Sequence, residues 1–439
     1  MSVKLKNKKI IFLLMAVFLA GFLRISFLGA SSLENDEAKT ALGVDFPHSF
    51  LLPTMSVLSQ DIFGASEAAA RLPMALFGVL AVYLIYLLGK EIDERFALPL
   101  AFLFAALPVN VIFSRTALLD VPLSTAYIFV LLFFIKYEKE QSAKNIFLLF
   151  LGLLSLPFFK IQAVYFLASL FVYLLIITKG FFWRDKRFIL MVLAFVPFFF
   201  YVLSQPQQLY DIRSVVTEQQ KSTDVINFAK LLWQSWGILF LFSVLGFFSL
   251  LFSRKELDIK KQETRINILL ITVFAVVFAS LFSSPKNHYM TTLDAPVVIL
   301  GAWFIFKILK TNFLRTVALV LIFINFFYLI FLTDNFSPYK NPSRVFWKNN
   351  AAAINSEIKN FSGNPIIFLD TNLSFTAKWY IRQETRKLDQ LLNDKEILKD
   401  SDVAVVLDAP TLEQNKDFFA DFEKNNFENV FVLEYKNDK

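Results

Sequence analysis

The sequence predicts a polytopic α-helical membrane protein with a small α/β domain at its C-terminal end. Three observations predict it. Hydrophobic residues make up 56% of the 439-residue chain and charged residues only 18%, against about 45–50% and ~25% in an ordinary soluble domain. Apolar runs of about the 20 residues needed to cross a bilayer recur from Ile10 to Thr333. Beyond Thr333 the composition turns polar, and short apolar runs alternate with helical patterns.

The first run, 10–28, follows Lys4, Lys6, Lys8 and Lys9 and has no small-x-small cleavage pattern, so it reads as an uncleaved signal anchor. Further runs lie at 72–89, 97–113, 117–135, 188–204, 233–252, 266–283, 289–306 and 315–333. The stretch 146–178 is too long for one span, and Lys160 with Gln162 divides it into 146–159 and 162–178. About eleven transmembrane helices result.

Charge orients them. With the N-terminus inside, the inside loops collect Lys90 and Arg95, then Lys136, Lys139 and Lys144, then Lys179, Arg184, Lys186 and Arg187. Arg254, Lys255, Lys260, Lys261 and Arg265 follow, then Lys307, Lys310 and Arg315. Outside loops hold far fewer, which is the positive-inside pattern. An odd number of spans puts residues 334–439 outside. Residues 1–333 are then the membrane domain, and 334–439 an extracytoplasmic α/β domain. Its β-like runs are Ile366 to Leu369, Val403 to Leu407 and Val430 to Leu433, with helical patterns at Val345 to Lys359 and Thr411 to Asn425.

Several function classes drop out. The net charge of +7 comes from short loops between apolar runs, so it does not indicate nucleic acid. With no cysteine there is neither a disulfide nor a thiol nucleophile. A zinc-protease motif, a phosphate-cradling Gly-rich loop and a G-x-S-x-G elbow are all missing.

What remains is a layer of charge at the outer membrane boundary. Asp36-Glu37 lies just past the first span, where ionisable groups are expensive unless they pair, face water or do chemistry. Arg71 opens the second span, and Arg115 and Asp120 flank a tight turn. Lys160 sits between the two short helices. Lys286, His288 and Tyr289 fill another turn, and His48 lies in the first outside loop. Each has a plain structural reading. Lys and Arg snorkel to headgroups, Asp120 can cap a helix, and a lone histidine at a membrane surface is more often incidental than a ligand. Taken together, scattered cations and loop acids suit a lipid-linked phosphate leaving group, with a carboxylate activating the acceptor.

At these residues the chain resembles the membrane glycosyltransferases that use polyprenyl-phosphate sugars. These are GT-C fold enzymes of the protein O-mannosyltransferase and lipid A aminoarabinose transferase type. The resemblance is carried by the late helical Arg24, by Asp36-Glu37, and by the phrase Ile62-Phe63-Gly64-Ala65-Ser66-Glu67-Ala68-Ala69-Ala70-Arg71-Leu72-Pro73. It continues through Ser114-Arg115-Thr116-Ala117-Leu118-Leu119-Asp120, Lys160, and Lys286-Asn287-His288-Tyr289. The first loop departs from the family, with Pro47-His48-Ser49-Phe50-Leu51-Leu52-Pro53 where the family usually has a basic residue followed by Pro-Pro.

The resemblance implies an inverting transferase that moves a sugar from a polyprenyl-phosphate donor to an extracytoplasmic protein, lipid or polysaccharide. It implies Asp36 as the carboxylate nearest the reacting centre, with Glu37 supporting it. Arg71 becomes a candidate for positioning the first-loop acids or binding phosphate, Arg115, Lys160 and Lys286 for the donor phosphate, Asp120 for sugar or metal, and His288, Tyr289 and His48 for substrate contact. The resemblance fixes no cofactor, and a divalent cation is a candidate. The expected partners are the donor, the acceptor and membrane lipids, without nucleic acid. The rival from another class is a transporter or flippase of lipid-linked sugars, which would place charges nearer the midplane and often show inverted repeats. A polymerase or ligase of lipid-linked sugars would carry its basic residues in a large central outside loop, whereas 205–231 is modest and charge-balanced. A non-catalytic relative would keep the fold without the reaction.

Overall fold

In lipid every backbone N–H and C=O must be bonded within its own segment, so long apolar runs become helices. The protein is described by a computed structural model over residues 3–44, 49, 51–160, 162–204, 225–252, 262–283, 286–333, 346–360, 365–369, 374–381, 385–393, 403–427 and 430–435. Up to the middle of the chain its helices are α1 (Val3–Ile25), α2 (Asn35–Ala41), α3 (Leu51–Phe63), α4 (Glu67–Ile92), α5 (Ala97–Ala105), α6 (Pro108–Ser114), α7 (Asp120–Lys139), α8 (Ala143–Phe159), α9 (Ala163–Ile177) and α10 (Lys186–Leu203). Then come α11 (Val225–Trp236), α12 (Ile238–Phe252), α13 (Gln262–Ser283), a 3-10 turn (Asn287–Leu293), α14 (Asp294–Trp303) and α15 (Asn312–Phe331). The C-terminal part alternates α16 (Phe346–Asn360), β1 (Ile366–Leu369), α17 (Ser374–Ile381), β2 (Thr385–Lys387), α18 (Leu388–Asn393), β3 (Val403–Asp408), α19 (Ala409–Gln414), β4 (Glu423–Phe427) and β5 (Val430–Tyr435).

Among the described residues, five helical segments are long and apolar enough to cross a membrane: Glu67–Ile92, Asp120–Lys139, Gln262–Leu281, His288–Ile308 and Asn312–Phe331. The number rises to seven if each of two bent pairs forms one span. The apolar helices α8 and α9 are shorter and meet at Lys160, as the sequence predicts. Phe18, Phe22, Phe313, Ile324 and Phe327 are exposed, as side chains facing lipid would be.

Both bends have a local cause. Pro108 has no N–H for the carbonyl of Phe104, so α5 and α6 part at an angle of 55°. The expected straight span 233–252 is instead α12 alone, turned 100° from α11 at Gly237. Gly237 has φ +54°, and a Cβ there would collide with Asn325 Oδ1. That oxygen accepts from the N–H of Ile238 at 3.1 Å, so the bend needs glycine twice over.

The chain divides into two compact units. The first comprises Met1–Leu28, Asp45–Met55 and Arg71–Ser337 and has one continuous apolar core. The second comprises Gly29–Val44, Ser56–Ala70 and Pro338–Lys439. Where the sequence suggests one boundary near 333, the second unit also takes in residues 29–44 and 56–70.

The second unit is built on a five-stranded sheet in the order β2-β1-β3-β5-β4. Strand β1 runs parallel to β2 and β3, whereas β5 runs antiparallel to β3 and β4. Alternate residues supply two cores, as the period of two requires. Phe368, Val405 and Leu433 pack on one face with Phe419 and Leu391. Ile367, Ala404, Val406 and Val432 pack on the other with Ile354, Trp379 and Tyr380, and with Leu33, Ala38, Ala41 and Ala70 from the early segments. The helical pattern expected over Thr411 to Asn425 holds only to Gln414. Asn425, Asn426 and Phe427 then pair with Val432, Phe431 and Val430 of β5, because the hairpin gives their backbone a sheet partner.

Candidate active site

In the first unit the sequence candidates gather where short helices end. Helix α8 stops at Phe159, and Lys160 follows in extended conformation before α9 begins at Ala163. Its ammonium lies 2.7 Å from Asp120 Oδ1, with side chains only 8% and 1% exposed. Asp120 is the first residue of α7, so the pair joins the starts and ends of three helices. A buried ion pair adds little net stability, but losing one partner strands a charge and costs about 3–5 kcal/mol.

Tyr289 covers this pair. Lys160 Nζ stands 4.6 Å from the centre of its ring, and the exposed Lys286 Nζ stands 5.7 Å away. The His288 ring meets Tyr289 edge-on at 4.5 Å and Phe113 at 6.1 Å. Two ammonium groups thus lie over the Tyr289 ring, one buried and one open to solvent. Alongside, a cavity of about 10 Å³ is lined by Tyr127, Gln162, Tyr165 and Tyr289 among others, room for roughly one water. Asp120, Lys160, Lys286, His288 and Tyr289 are therefore brought together.

Arg71 and Arg115 are placed differently. Arg115 donates to the carbonyls of Leu23 (2.9 Å) and Phe27 (3.3 Å), and the buried Arg71 donates to Leu28 (3.0 Å). Both cations serve carbonyls at the C-terminal end of α1 and beyond it, where orphan oxygens and the helix dipole favour positive charge. Leu28 is the residue before the segment that carries Asp36-Glu37.

Those two acids belong to the second unit and differ sharply in environment. Glu37 is buried, and its Oε2 accepts from the N–H of Glu34 at 3.0 Å, closing the N-terminus of α2. The Asp36 side chain is 59% exposed and pairs with Lys39 at 3.1 Å. Asp36 is thus the carboxylate open to solvent, and Glu37 the one that holds the turn. His48 lies outside the described residues.

One charged network escaped the sequence reading. Arg24 Nη1 donates to the Ala105 carbonyl (2.8 Å), and Nη2 to Phe104 O (3.2 Å) and Asn110 Oδ1 (2.8 Å). Asn110 Nδ2 donates to Asp294 Oδ2 (2.9 Å), and Trp236 Nε1 donates to Asp294 Oδ1 (3.0 Å). All four side chains are fully buried. Arg24 therefore joins the N–H of Leu107 (3.3 Å) in donating to the carbonyl that Pro108 cannot reach, and the chain of bonds extends to Trp236 at the second bend. The signal lay in the sequence as two charges inside apolar runs, Arg24 in 10–28 and Asp294 in 289–306. At the other end of α7, Glu138 accepts from Tyr173 (2.5 Å), Arg187 and Arg265 (3.2 Å), which ties four helices.

Among the described residues, no three carboxylate or imidazole side chains group to hold a metal. Residues 47–203 match the family described as dolichyl-phosphate-mannose-protein mannosyltransferase. No curated protein sequence matches the chain. Among solved structures, ArnT from Cupriavidus metallidurans in its apo state is similar with a TM-score of 0.72 at 14% identity, over 99% of each chain. The same protein bound to undecaprenyl phosphate gives 0.72 at 13%, over 98% of each chain. The Archaeoglobus fulgidus oligosaccharyltransferase gives 0.58 at 13%, over 96% of this chain and 72% of its own. The fold is the GT-C fold, and the resemblance to its membrane glycosyltransferases holds in sequence over 47–203 and in fold over nearly the whole chain.

Proposed function

We propose that this chain is an inverting glycosyltransferase that moves a sugar from a polyprenyl phosphate to an acceptor on the extracytoplasmic face of the membrane. The observation that carries the reading is the buried Lys160–Asp120 pair beneath Tyr289. It lies inside the stretch that matches the mannosyltransferase family. A cation held this firmly is preorganised for charge that grows on a leaving phosphate. That ArnT has been captured with undecaprenyl phosphate supports the same donor class here.

In the reaction the acceptor hydroxyl attacks the anomeric carbon. The bond from that carbon to the phosphate oxygen breaks, and polyprenyl phosphate leaves with the electron pair. Asp36, exposed and acceptor-only when ionised, takes the hydroxyl proton. Lys160 and Lys286 stabilise the departing phosphate, Asp120 fixes Lys160, and Tyr289 with His288 shapes the donor side. Arg71 and Arg115 hold the end of α1, from which the segment bearing Asp36 departs. Single displacement inverts the anomeric configuration. We further assign eleven spans, an inside N-terminus and an extracytoplasmic C-terminal domain. The sugar is a hexose or pentose, and the acceptor a protein, lipid or polysaccharide. A divalent cation near Asp36 or Asp120 is a candidate participant.

The test is purified protein in liposomes with a panel of polyprenyl-phosphate sugars, reading free polyprenyl phosphate with and without EDTA. Turnover of at least one donor is expected. A loss in EDTA that manganese or magnesium restores would add the ion to the reaction. The rival reading, a flippase of lipid-linked sugars, draws on the two bent helices and the buried Arg24 and Asp294, since transporters use broken helices near the midplane. It predicts movement of the donor between leaflets with its sugar intact.

A further inference from the structure

The C-terminal sheet domain holds the helix that carries Asp36 at both ends, through two neighbouring side chains of α17. At the entrance, the Tyr380 hydroxyl accepts from the N–H of Leu33 (3.2 Å) and donates to Glu67 Oε1 (3.0 Å). Leu33 is the residue before Glu34, the N-cap of α2. At the exit, Trp379 Nε1 donates to Gln60 Oε1 (3.1 Å), and Gln60 Nε2 donates to the carbonyl of Ala41, the last residue of α2 (2.7 Å). Between these points Leu33, Ala38 and Ala41 are buried in the same apolar core as Ile354, Ala377, Trp379 and Tyr380.

All of these groups are nine-tenths or more buried except Glu67, so each hydrogen bond lost leaves a polar atom stranded. Burial and the nearby Glu67 push the Tyr380 hydroxyl well above the usual phenol range, which keeps it protonated and able to donate. The Asp36 carboxylate meanwhile makes its ion pair with Lys39 on the same short helix. A seven-residue helix is too short to hold its own geometry in water. Its outside supports therefore decide where Asp36 points.

We propose that Trp379 and Tyr380 are positioning residues for the transfer reaction: the C-terminal domain is a splint that fixes the Asp36 helix at its two ends. The inference rests on Asp36 being the base. It predicts that loosening either end lowers turnover without weakening the donor, because small misplacements of a reacting group are costly in rate.

The experiment uses full-length protein in liposomes. Tyr380→Phe and Trp379→Phe keep an aromatic ring and remove the polar atoms. Gln60→Met tests the exit bond should either fail to fold. Asn425→Ala removes a hydrogen bond to Glu357 elsewhere in the same domain and serves as the stability control. In parallel, Asn35→Cys gives the otherwise cysteine-free chain one thiol on α2, and its maleimide labelling rate reports how firmly the helix is held. The expected result is a fall in kcat of about tenfold or more for Tyr380→Phe and Trp379→Phe, with donor KM within about twofold. Faster labelling of Asn35→Cys should accompany it, and Asn425→Ala should show neither effect. The proposal is overturned if both variants match Asn425→Ala in kcat and labelling, or if the loss falls on donor KM. Full turnover of Asp36→Asn would instead remove the assigned base, while the labelling arm would still report whether α2 is held.

Discussion

At Lys160 and Asp120, structure and chemistry can be separated by experiment. Removing either partner should lower thermal stability by about 3–5 kcal/mol, because the other is left buried and charged. The double variant Lys160→Met/Asp120→Asn should regain much of that stability, read by thermal unfolding in detergent, and stay inactive. A double variant that turns over donor would show the pair to be purely structural. The pairing itself was only partly legible in the sequence. Lys160 stood out as a charge splitting an apolar stretch, and Asp120 as an acid at the start of a span, yet nothing in their spacing of forty residues says that they touch. Arg71 and Arg115 were legible as boundary cations, but not as donors to the end of α1, since carbonyl partners leave no mark in side-chain pattern. Glu37 and Asp36 look alike in sequence, and only burial tells the capping acid from the open one.

At the scale of the element, the two bends are where pattern reading ran out. Apolar periodicity continues through Pro108 and Gly237, so 97–113 and 233–252 read as straight spans. Gly237→Ala should cost more than about 1 kcal/mol, because it must adopt φ +54° and would drive a methyl into Asn325. An unchanged thermal midpoint would mean that the bend does not depend on this residue. The loop from α4 to α5 supplies a pH test. The hydrogen bonds from Arg95, with a further contribution from Lys307, hold the Asp93 carboxyl far below the usual carboxylate range. A depressed folded pKa contributes stability above the unfolded value, near 4 for an aspartate, and loses it as pH falls toward the folded one. Stability measured below about pH 4 should therefore drop less steeply in Asp93→Asn than in the parent. Identical acid slopes would remove this role. Strands β1, β3 and β5 were readable as short apolar runs. Strand β4, written Glu-Lys-Asn-Asn-Phe, was not, because its hairpin partner rather than its composition makes it a strand.

For the whole molecule, composition was enough to predict a membrane domain followed by an α/β domain. What it could not reveal is that residues 29–44 and 56–70 join the C-terminal core, since long-range packing of Leu33, Ala38, Ala41 and Ala70 has no local signature. The proposed topology is open to cysteine mapping. A thiol at the exposed Lys416 should label with an impermeant maleimide from outside, and one at the exposed Arg95 only after permeabilisation. The reverse pattern would invert the orientation and place the C-terminal domain in the cytoplasm. The most direct measurement of the central claim is release of polyprenyl phosphate from a labelled polyprenyl-phosphate sugar by wild type and Asp36→Asn in the same liposomes. The account predicts steady release by the wild type, and a loss of about a hundredfold or more in a variant that is folded and still binds donor. Equal release by both proteins, or none from any donor by the wild type, would contradict it.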